Sequence, residues 1–318
     1  MSLITGTKRF LRSTLRRSEG LGLKARNSGL HRTQLGRAII DSILLPSDIH
    51  TVLFGYKAVF RVFPNIVAPT TFNEFLQRFK LFSRKSKYTE WADKLLVRDY
   101  VARKAGSQYL TTLLWNGDDL RTVDRKMLPQ SFVIKANHGS GTTIIVKNKD
   151  DFDWEAAYQT TKQWLCADYS LESAEWQYRW IPRRLLIEEL LSGKDDQLPV
   201  DYKFFVFGGR VRFVELHFGR FSEHTTNLYD RAFKRLNVIV RDSYPSFEGS
   251  VEKPDCYDEM ITLAEALSDG ERFVRVDLYD VGRPVFGELT FTPDAGLGVF
   301  DPPDFDGLLG KYYSGLAE

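Results

Sequence analysis

Phe132-Val133-Ile134-Lys135-Ala136-Asn137-His138-Gly139-Ser140-Gly141-Thr142-Thr143-Ile144-Ile145-Val146 is an apolar strand ending in a lysine, then a Gly/Ser/Thr loop, then a second apolar strand. Glycines at 139 and 141 let backbone N–H groups converge on an anion with no Cβ in the way, and Lys135 adds a cation fixed by a rigid strand. A Walker A loop needs Gly-Lys-Ser/Thr entering a helix, and a dinucleotide fingerprint also opens a helix. The β-branched residues that follow here fit neither. From this stretch alone two readings stay open, a phosphate-gripping hairpin and an ordinary hairpin turn. His138 is correspondingly a phosphate contact or a turn residue.

A second hairpin sharpens the choice. Phe273-Val274-Arg275-Val276-Asp277-Leu278-Tyr279 alternates like a half-buried strand, and after Gly282-Arg283-Pro284 comes Val285-Phe286-Gly287-Glu288-Leu289-Thr290-Phe291. Asp277 and Glu288 are expected to face each other across it. Carboxylates so placed either lie solvated on an exposed face or share a hard cation, and Mg²⁺ is usually held by one or two carboxylates plus substrate phosphates. Both strands are otherwise apolar, which favours the metal, because an unpaired buried charge is costly. Asp201 and Lys203 occupy alternate positions of one strand and share a face. They form an ion pair, or they reach a ribose hydroxyl and a transferring phosphoryl group. Arg275, next to Asp277, is expected on the opposite strand face, where a structural role would follow. Arg220, His224, Asn227 and Tyr229 lie in a polar segment that is either a surface loop or a site for a carboxylate or sugar acceptor. The turn Pro293-Asp294-Ala295-Gly296-Leu297-Gly298 has glycines that permit close backbone approach to a substrate.

At 318 residues, with 43% hydrophobic and 27% charged residues, the chain is long enough for one large or two modest cores. No apolar run reads as a membrane span, and Cys166 and Cys256 offer neither a disulfide framework nor a zinc cluster. The net charge of +2 conceals a basic start: Lys8, Arg9, Arg12, Arg16, Arg17, Lys24, Arg26, Arg32 and Arg37 are opposed mainly by Glu19. Such an arm either meets anionic lipid or an anionic polymer or has no specific partner, and it also resembles an organellar transit peptide. Nucleic acid is not expected, since the basic residues lack interleaved aromatics. The expected location is the cytoplasm, peripheral at the inner face of the membrane if the arm binds lipid.

Four regions follow: a basic, partly helical extension over 1–70, a helical stretch over 71–130, a small subdomain with the glycine hairpin over 131–191, and a C-terminal subdomain with the carboxylate hairpin over 192–318. Within them, 34–62 reads as helical with a break at Leu45-Pro46-Ser47-Asp48. Thr71-Phe72-Asn73-Glu74 has capping-box spacing, and 90–105 reads as one helix closed by Gly106. Strands and helices alternate without a βαβ rhythm, so the class is α+β.

In order along the chain, Thr71-Phe72-Asn73-Glu74, Ala92 to Val101, Lys135 to Thr143, Leu186-Ile187-Glu188-Glu189-Leu190-Leu191, Asp201 to Phe205, Arg275-Val276-Asp277 and Gly287-Glu288-Leu289-Thr290 resemble the TupA-like branch of the ATP-grasp superfamily. The resemblance implies an ATP-grasp fold with nucleotide bound between two α+β subdomains. It also implies ligation of a carboxylate to an amine through an acyl phosphate, with ATP and Mg²⁺ as cofactors, in surface-polysaccharide assembly. Substrates would be a uronic acid or sugar-linked acceptor and an amino acid. Carried over by residue, Arg98 and Lys135 hold phosphates with Lys94 as helper, and Gly139, Ser140, Gly141 and Thr142 form the flap. Glu188, Glu189, Leu190 and Leu191 meet adenine and ribose. Lys135, Lys203 and Arg275 are the catalytic cations, with Asp201 beside them. Asp277 and Glu288 are metal ligands, joined by Thr290, which stands where the superfamily often has Asn. Arg220, His224, Asn227, Asp294 and Gly296 would touch substrate. Alternatives within the same reading are an ATP-grasp kinase, a glycosyltransferase, for which no Asp-x-Asp pair is found, and a non-catalytic nucleotide-binding module.

Overall fold

The structure, a computed structural model, describes residues 33–193, 197–219, 223–241 and 244–317. The basic segment before Thr33 and the candidate Arg220 lie outside the described residues.

Helix α1 (Gln34–Phe60) starts at Thr33, whose hydroxyl accepts from the Gly36 N–H at 3.0 Å. The break expected at Leu45-Pro46-Ser47-Asp48 does not occur; α1 runs through Pro46. Proline removes the bond to the Ser42 carbonyl, but Pro46 and Ser42 are both exposed, so water can satisfy that carbonyl. On the inner side, Arg179, its side chain fully buried, reaches Asp41 at 2.8 Å and Asp48 at 2.7 Å and fastens the helix on both sides of the proline. One expectation needs revision here. By length and composition alone, α1 is long and apolar enough to cross a membrane.

Helix α2 (Phe72–Phe82) opens with the expected capping box of Thr71 and Glu74. The single helix expected over 90–105 is two, α3 (Ser86–Ala92) and α4 (Leu96–Lys104). Asp93 separates them, because its carboxylate accepts from the Leu95 N–H at 2.8 Å and from the Asn137 side chain at 2.9 Å.

Strands β1 (Leu113–Gly117), β2 (Phe132–Ala136), β3 (Thr143–Val146) and, after α5 (Trp154–Cys166) and α6 (Tyr169–Ser173), β4 (Leu185–Glu189) form an antiparallel sheet in the order β1-β4-β2-β3. Phe132, Ile134, Leu185 and Ile187 pack with Ala157 of α5, leaving Lys135 and Glu188 for the other face.

Strands β5 (Asp201–Phe207), β6 (Arg210–Phe218), β7 (Thr225–Asp230), β9 (Phe273–Asp280) and β10 (Pro284–Thr290) form a second antiparallel sheet in the order β10-β9-β5-β6-β7. Between them in sequence come β8 (Ile239–Arg241), paired with β11 (Val299–Asp301), and α7 (Tyr257–Leu267); α8 (Asp304–Ser314) closes the chain. On one face Tyr202, Phe204, Val206, Val214, Leu216 and Val276 join α7 in the largest core. The opposite face changes character along the strands. At one end Phe205, Phe207, Phe213 and Phe273 pack with Phe72, Leu76 and Leu309. At the other, charged residues take over, and this end carries the candidate site.

Candidate nucleotide and ligation site

Arg98 on α4 and Lys135 on β2 converge on one carboxylate. Arg98 Nη1 donates to Glu188 Oε1 at 2.7 Å and Lys135 Nζ to Glu188 Oε2 at 2.8 Å, while the Thr111 hydroxyl donates to Oε1 at 2.5 Å. Glu188 is buried. Burial pushes its pKa up, but Lys135, Thr111 and Arg98 together hold it below the ordinary value. The pairing of Val133 with Glu188 and of Lys135 with Leu186 produces this arrangement, since it makes Lys135 and Glu188 diagonal neighbours on one face. Glu188 was expected in the segment that meets adenine and ribose; in this structure its side chain balances the two cations assigned to phosphate. Glu189 accepts from the Thr112 N–H at 2.9 Å, and Leu190 and Leu191 leave the strand beside it.

In the glycine loop Gly139 and Gly141 both have φ of 74°, the left-handed region that side chains disfavour. Ser140 is exposed and Thr142 partly so. Lys94, set in the gap between α3 and α4, donates to the Gly139 carbonyl at 2.9 Å and lies 3.2 Å from Glu288 Oε2, tying the loop to the carboxylate hairpin. His138 turns away from the loop. Its Nε2 lies 3.2 Å from the Trp164 carbonyl, and its Nδ1 lies 3.3 Å from the Asn137 side chain. Burial, with Arg183 nearby, pushes it down to about 4, so at neutral pH its ring is uncharged. A histidine depressed from 6.5 favours the fold above that value and loses this contribution as pH falls toward 4. His138→Asn is therefore expected to flatten the fall in urea midpoint between pH 6.5 and 4; an unchanged slope would dissociate His138 from acid sensitivity.

The second sheet lines up a charged row. Glu288 pairs with Asp277, Asp277 with Lys203, and Lys203 with Glu215. A register slip at Gly287 puts Glu288 opposite Asp277. Arg275 corrects an expectation. Residues two apart on a strand share a face, and Arg275 grips Asp277 with two hydrogen bonds of 2.7 Å. It also donates to the Thr290 hydroxyl at 3.1 Å and lies 3.5 Å from Glu288. Lys203 Nζ lies 4.0 Å from both Asp201 and Asp277. Burial raises Asp277 to about 6 despite Arg275 and Lys203.

Two members of this face went unread in the sequence. Glu215 and His217 on β6 stand opposite Lys203 and Asp201. His217 Nε2 lies 3.3 Å from Glu215, and its Nδ1 lies 2.8 Å from His224 Nε2. Burial raises the Glu215 pKa, but His217, Lys203 and Arg275 outweigh it and hold the group at about 2. The signal was present as two ionisable residues at alternate positions in the otherwise apolar second half of the strand, Phe213 to Phe218, the pattern that exposed Asp201 and Lys203. Asn227 is placed differently from the expectation. It belongs to strand β7 rather than to a loop, pairs with Leu216, and so lies on the opposite face, donating to the Phe247 carbonyl at 2.9 Å.

The turn after β10 is strained. Asp294 and Ala295 have φ of 49° and 54°, and Gly296 has 68°. Helix α2 holds it with a polar stripe at positions i, i+4 and i+7. Gln77 donates to the Ala295 and Gly296 carbonyls at 3.1 and 2.6 Å, Lys80 to Ala295 at 3.0 Å, and Asn73 to Gly298 at 2.8 Å. A Cβ on Gly296 would come within 2.6 Å of the Gln77 amide and 2.8 Å of Leu76 Cβ. Asp294 is exposed, at the head of the turn. Burial lowers Lys80 to about 8. Lys80→Met keeps the length and removes the donor, so it should cost about 1 kcal/mol in urea unfolding, the usual net worth of one hydrogen bond. No change would mean that the turn holds its shape without Lys80.

Asp277, Glu288 and the Thr290 hydroxyl are hard oxygen donors on one face. These residues fit Mg²⁺ completed by phosphate oxygens. A model of the TupA-like ATP-grasp family matches residues 74–314. The chain belongs to that family. As a TupA-like ATP-grasp protein it has the α+β architecture of the fold, and the turns and strands described above all fall inside the matched span. No curated protein sequence matches it. Among solved structures it is similar to D-alanine–D-alanine ligase from Bacillus anthracis complexed with ATP, at 16% identity and TM-score 0.39, covering 63% of this chain and 54% of that one. It is also similar to the ATP-grasp ligase PsnB with a minimal precursor, at 14% identity and TM-score 0.39, over 73% of this chain and 62% of that one. D-cycloserine synthetase DcsG is similar at 13% identity and TM-score 0.42, over 77% and 78%. The chain thus spans a little over half the length of the Bacillus anthracis ligase.

Proposed function

We propose that this TupA-like ATP-grasp protein is an ATP- and Mg²⁺-dependent carboxylate–amine ligase that forms an amide through an acyl phosphate, acting on a surface polysaccharide or glycoconjugate in the cytoplasm. The observation that carries the reading is the link made by Lys94. It joins the glycine loop, which with Arg98 and Lys135 would hold phosphates, to Glu288 of the carboxylate row, where the metal would sit. Phosphoryl transfer to a carboxylate needs positioned positive charge rather than a protein nucleophile, and Lys203 and Arg275 supply it beside Asp277. Asp277 and Glu288 would hold Mg²⁺, whose chemistry when bound is neutralisation of phosphate charge. Asp294 and Gly296, at the strained turn, would border the acceptor, as would His224 beyond His217. The basic N-terminal segment would bring the protein to the anionic inner face of the membrane. The test is ADP release with uronic acids paired with amino acids, followed by product mass. An amide weighs the sum of its parts less water. A phosphorylated acceptor would identify a kinase, and transfer from a nucleotide sugar a glycosyltransferase; ATP binding without turnover would leave a binding module.

A further inference from the structure

Helix α1 has an outer face with no formal charge over several turns. Between Arg37 and Lys57 its only ionised residues by type are Asp41 and Asp48, and both turn inward to Arg179. Leu35 is 73% exposed, Ile39 42%, Leu45 37% and Ile49 37%, at the spacing that places them on one side of a helix, with Ala38, Ser42 and Pro46 exposed among them. This stripe runs about 20 Å along the axis. Scattered exposed aliphatics are ordinary on a protein surface, but a continuous apolar stripe on a surface helix marks something that covers it.

What covers it is indicated by what adjoins it. The first 32 residues, immediately before the N-cap Thr33, carry eight lysines and arginines against the single acid Glu19. A second copy seated isologously on the stripe would carry another such segment and would offer neither one a counter-charge. An anionic lipid surface meets both demands, since its headgroups neutralise the basic segment and its acyl boundary accepts the aliphatics. Spanning the bilayer is a poorer fit, because the inner side of α1 is committed to Arg179 and to buried Ile40, Leu44 and Val52. We propose that α1 lies flat on an anionic membrane surface with Leu35, Ile39, Leu45 and Ile49 inserted at the headgroup boundary. This rests on the reading that the basic segment meets the membrane, and it adds a second, apolar anchor at a defined face.

The two parts separate experimentally. The full chain is mixed with vesicles of two parts phosphatidylcholine to one part phosphatidylglycerol, and with pure phosphatidylcholine vesicles, and sedimented. Wild type should bind the anionic vesicles and release with salt. Ile39→Ser with Ile49→Ser should lower partition by roughly tenfold through the lost apolar burial, with ATP turnover unchanged. Arg12→Gln with Arg16→Gln and Arg17→Gln should lower it through charge, by roughly fivefold for each cation that lies near the surface. Loss with the arginine variant but wild-type binding by the stripe variant would overturn the α1 anchor and leave the basic segment's role standing. Absence of binding by wild type would overturn both. A wild-type dimer split by the stripe variant, with vesicle binding unchanged, would assign the face to a second copy and overturn the proposal. If the stripe variant fails to fold, Ser42→Cys in a Cys166→Ser background, labelled with an environment-sensitive dye, answers the same question. Emission should shift to the blue on anionic vesicles, and an unshifted spectrum overturns the insertion.

Discussion

Asp277→Asn and Glu288→Gln should each lower ADP formation by about 10²–10³, the scale lost when a charge-stabilising group is removed from a reacting site. Both changes keep shape and delete the negative charge that a hard cation requires. Their effects on stability differ. Asp277 is buried in a two-bond grip with Arg275, so its amide leaves a buried guanidinium less well matched, while relieving a carboxylate that burial has already raised to about 6. These effects oppose, and Tm should move little relative to the rate. Glu288 has 29% of its side chain exposed, which makes it the cleaner probe. Wild-type turnover in both variants would reduce the carboxylate row to an ion-pair network between β9, β10 and Lys94.

The parts of this molecule that could be read in advance are those written in short-range pattern. Gly139 and Gly141 mark a loop between two apolar strands, and the structure has the hairpin there, with both glycines left-handed. Asp277 and Glu288 stand out as acids inside apolar runs, and pairing puts them opposite one another. The capping box at Thr71 is local and forms. What escaped depends on partners far off in sequence. Pro46 reads as a break because nothing local shows that Arg179, more than a hundred residues on, will hold both flanks. Gln77 and Lys80 look like ordinary polar residues of an amphipathic helix, yet their donors reach Ala295 and Gly296 more than two hundred residues later. Glu215 and His217 are a nearer miss, since their partners Lys203 and Asp201 lie just across the Gly208-Gly209 hairpin and only their passing as the wet side of a half-buried strand hid them. Arg275 is a different case. The strand period of two puts it beside Asp277, so its side was legible and was misassigned.

Lys135 tests whether catalysis and packing can be separated at this site. Its ammonium would hold phosphate, but it is also one of two cations on the buried Glu188. Stripping one partner from a buried ion pair usually costs about 3–5 kcal/mol, and with Arg98 and Thr111 still bonded to Glu188 a loss of about 2 kcal/mol is expected for Lys135→Ala. The pH profile carries the same signature. Because its partners hold Glu188 below 4.5, the stability it contributes is in place above that value and is lost on acidification; without Lys135 the acid limb should begin at higher pH. Adding Glu188→Gln removes the stranded charge, so Lys135→Ala with Glu188→Gln should regain most of the lost stability in urea. ATP affinity should not return with it. A charge-assisted phosphate contact of about 1.5–3 kcal/mol corresponds to a roughly ten- to hundredfold weaker Kd by calorimetry in both the single and the double variant. Recovery of affinity together with stability would show that Lys135 serves the site only by keeping Glu188 in place, and the phosphate contact would then fall to Arg98 and the glycine loop.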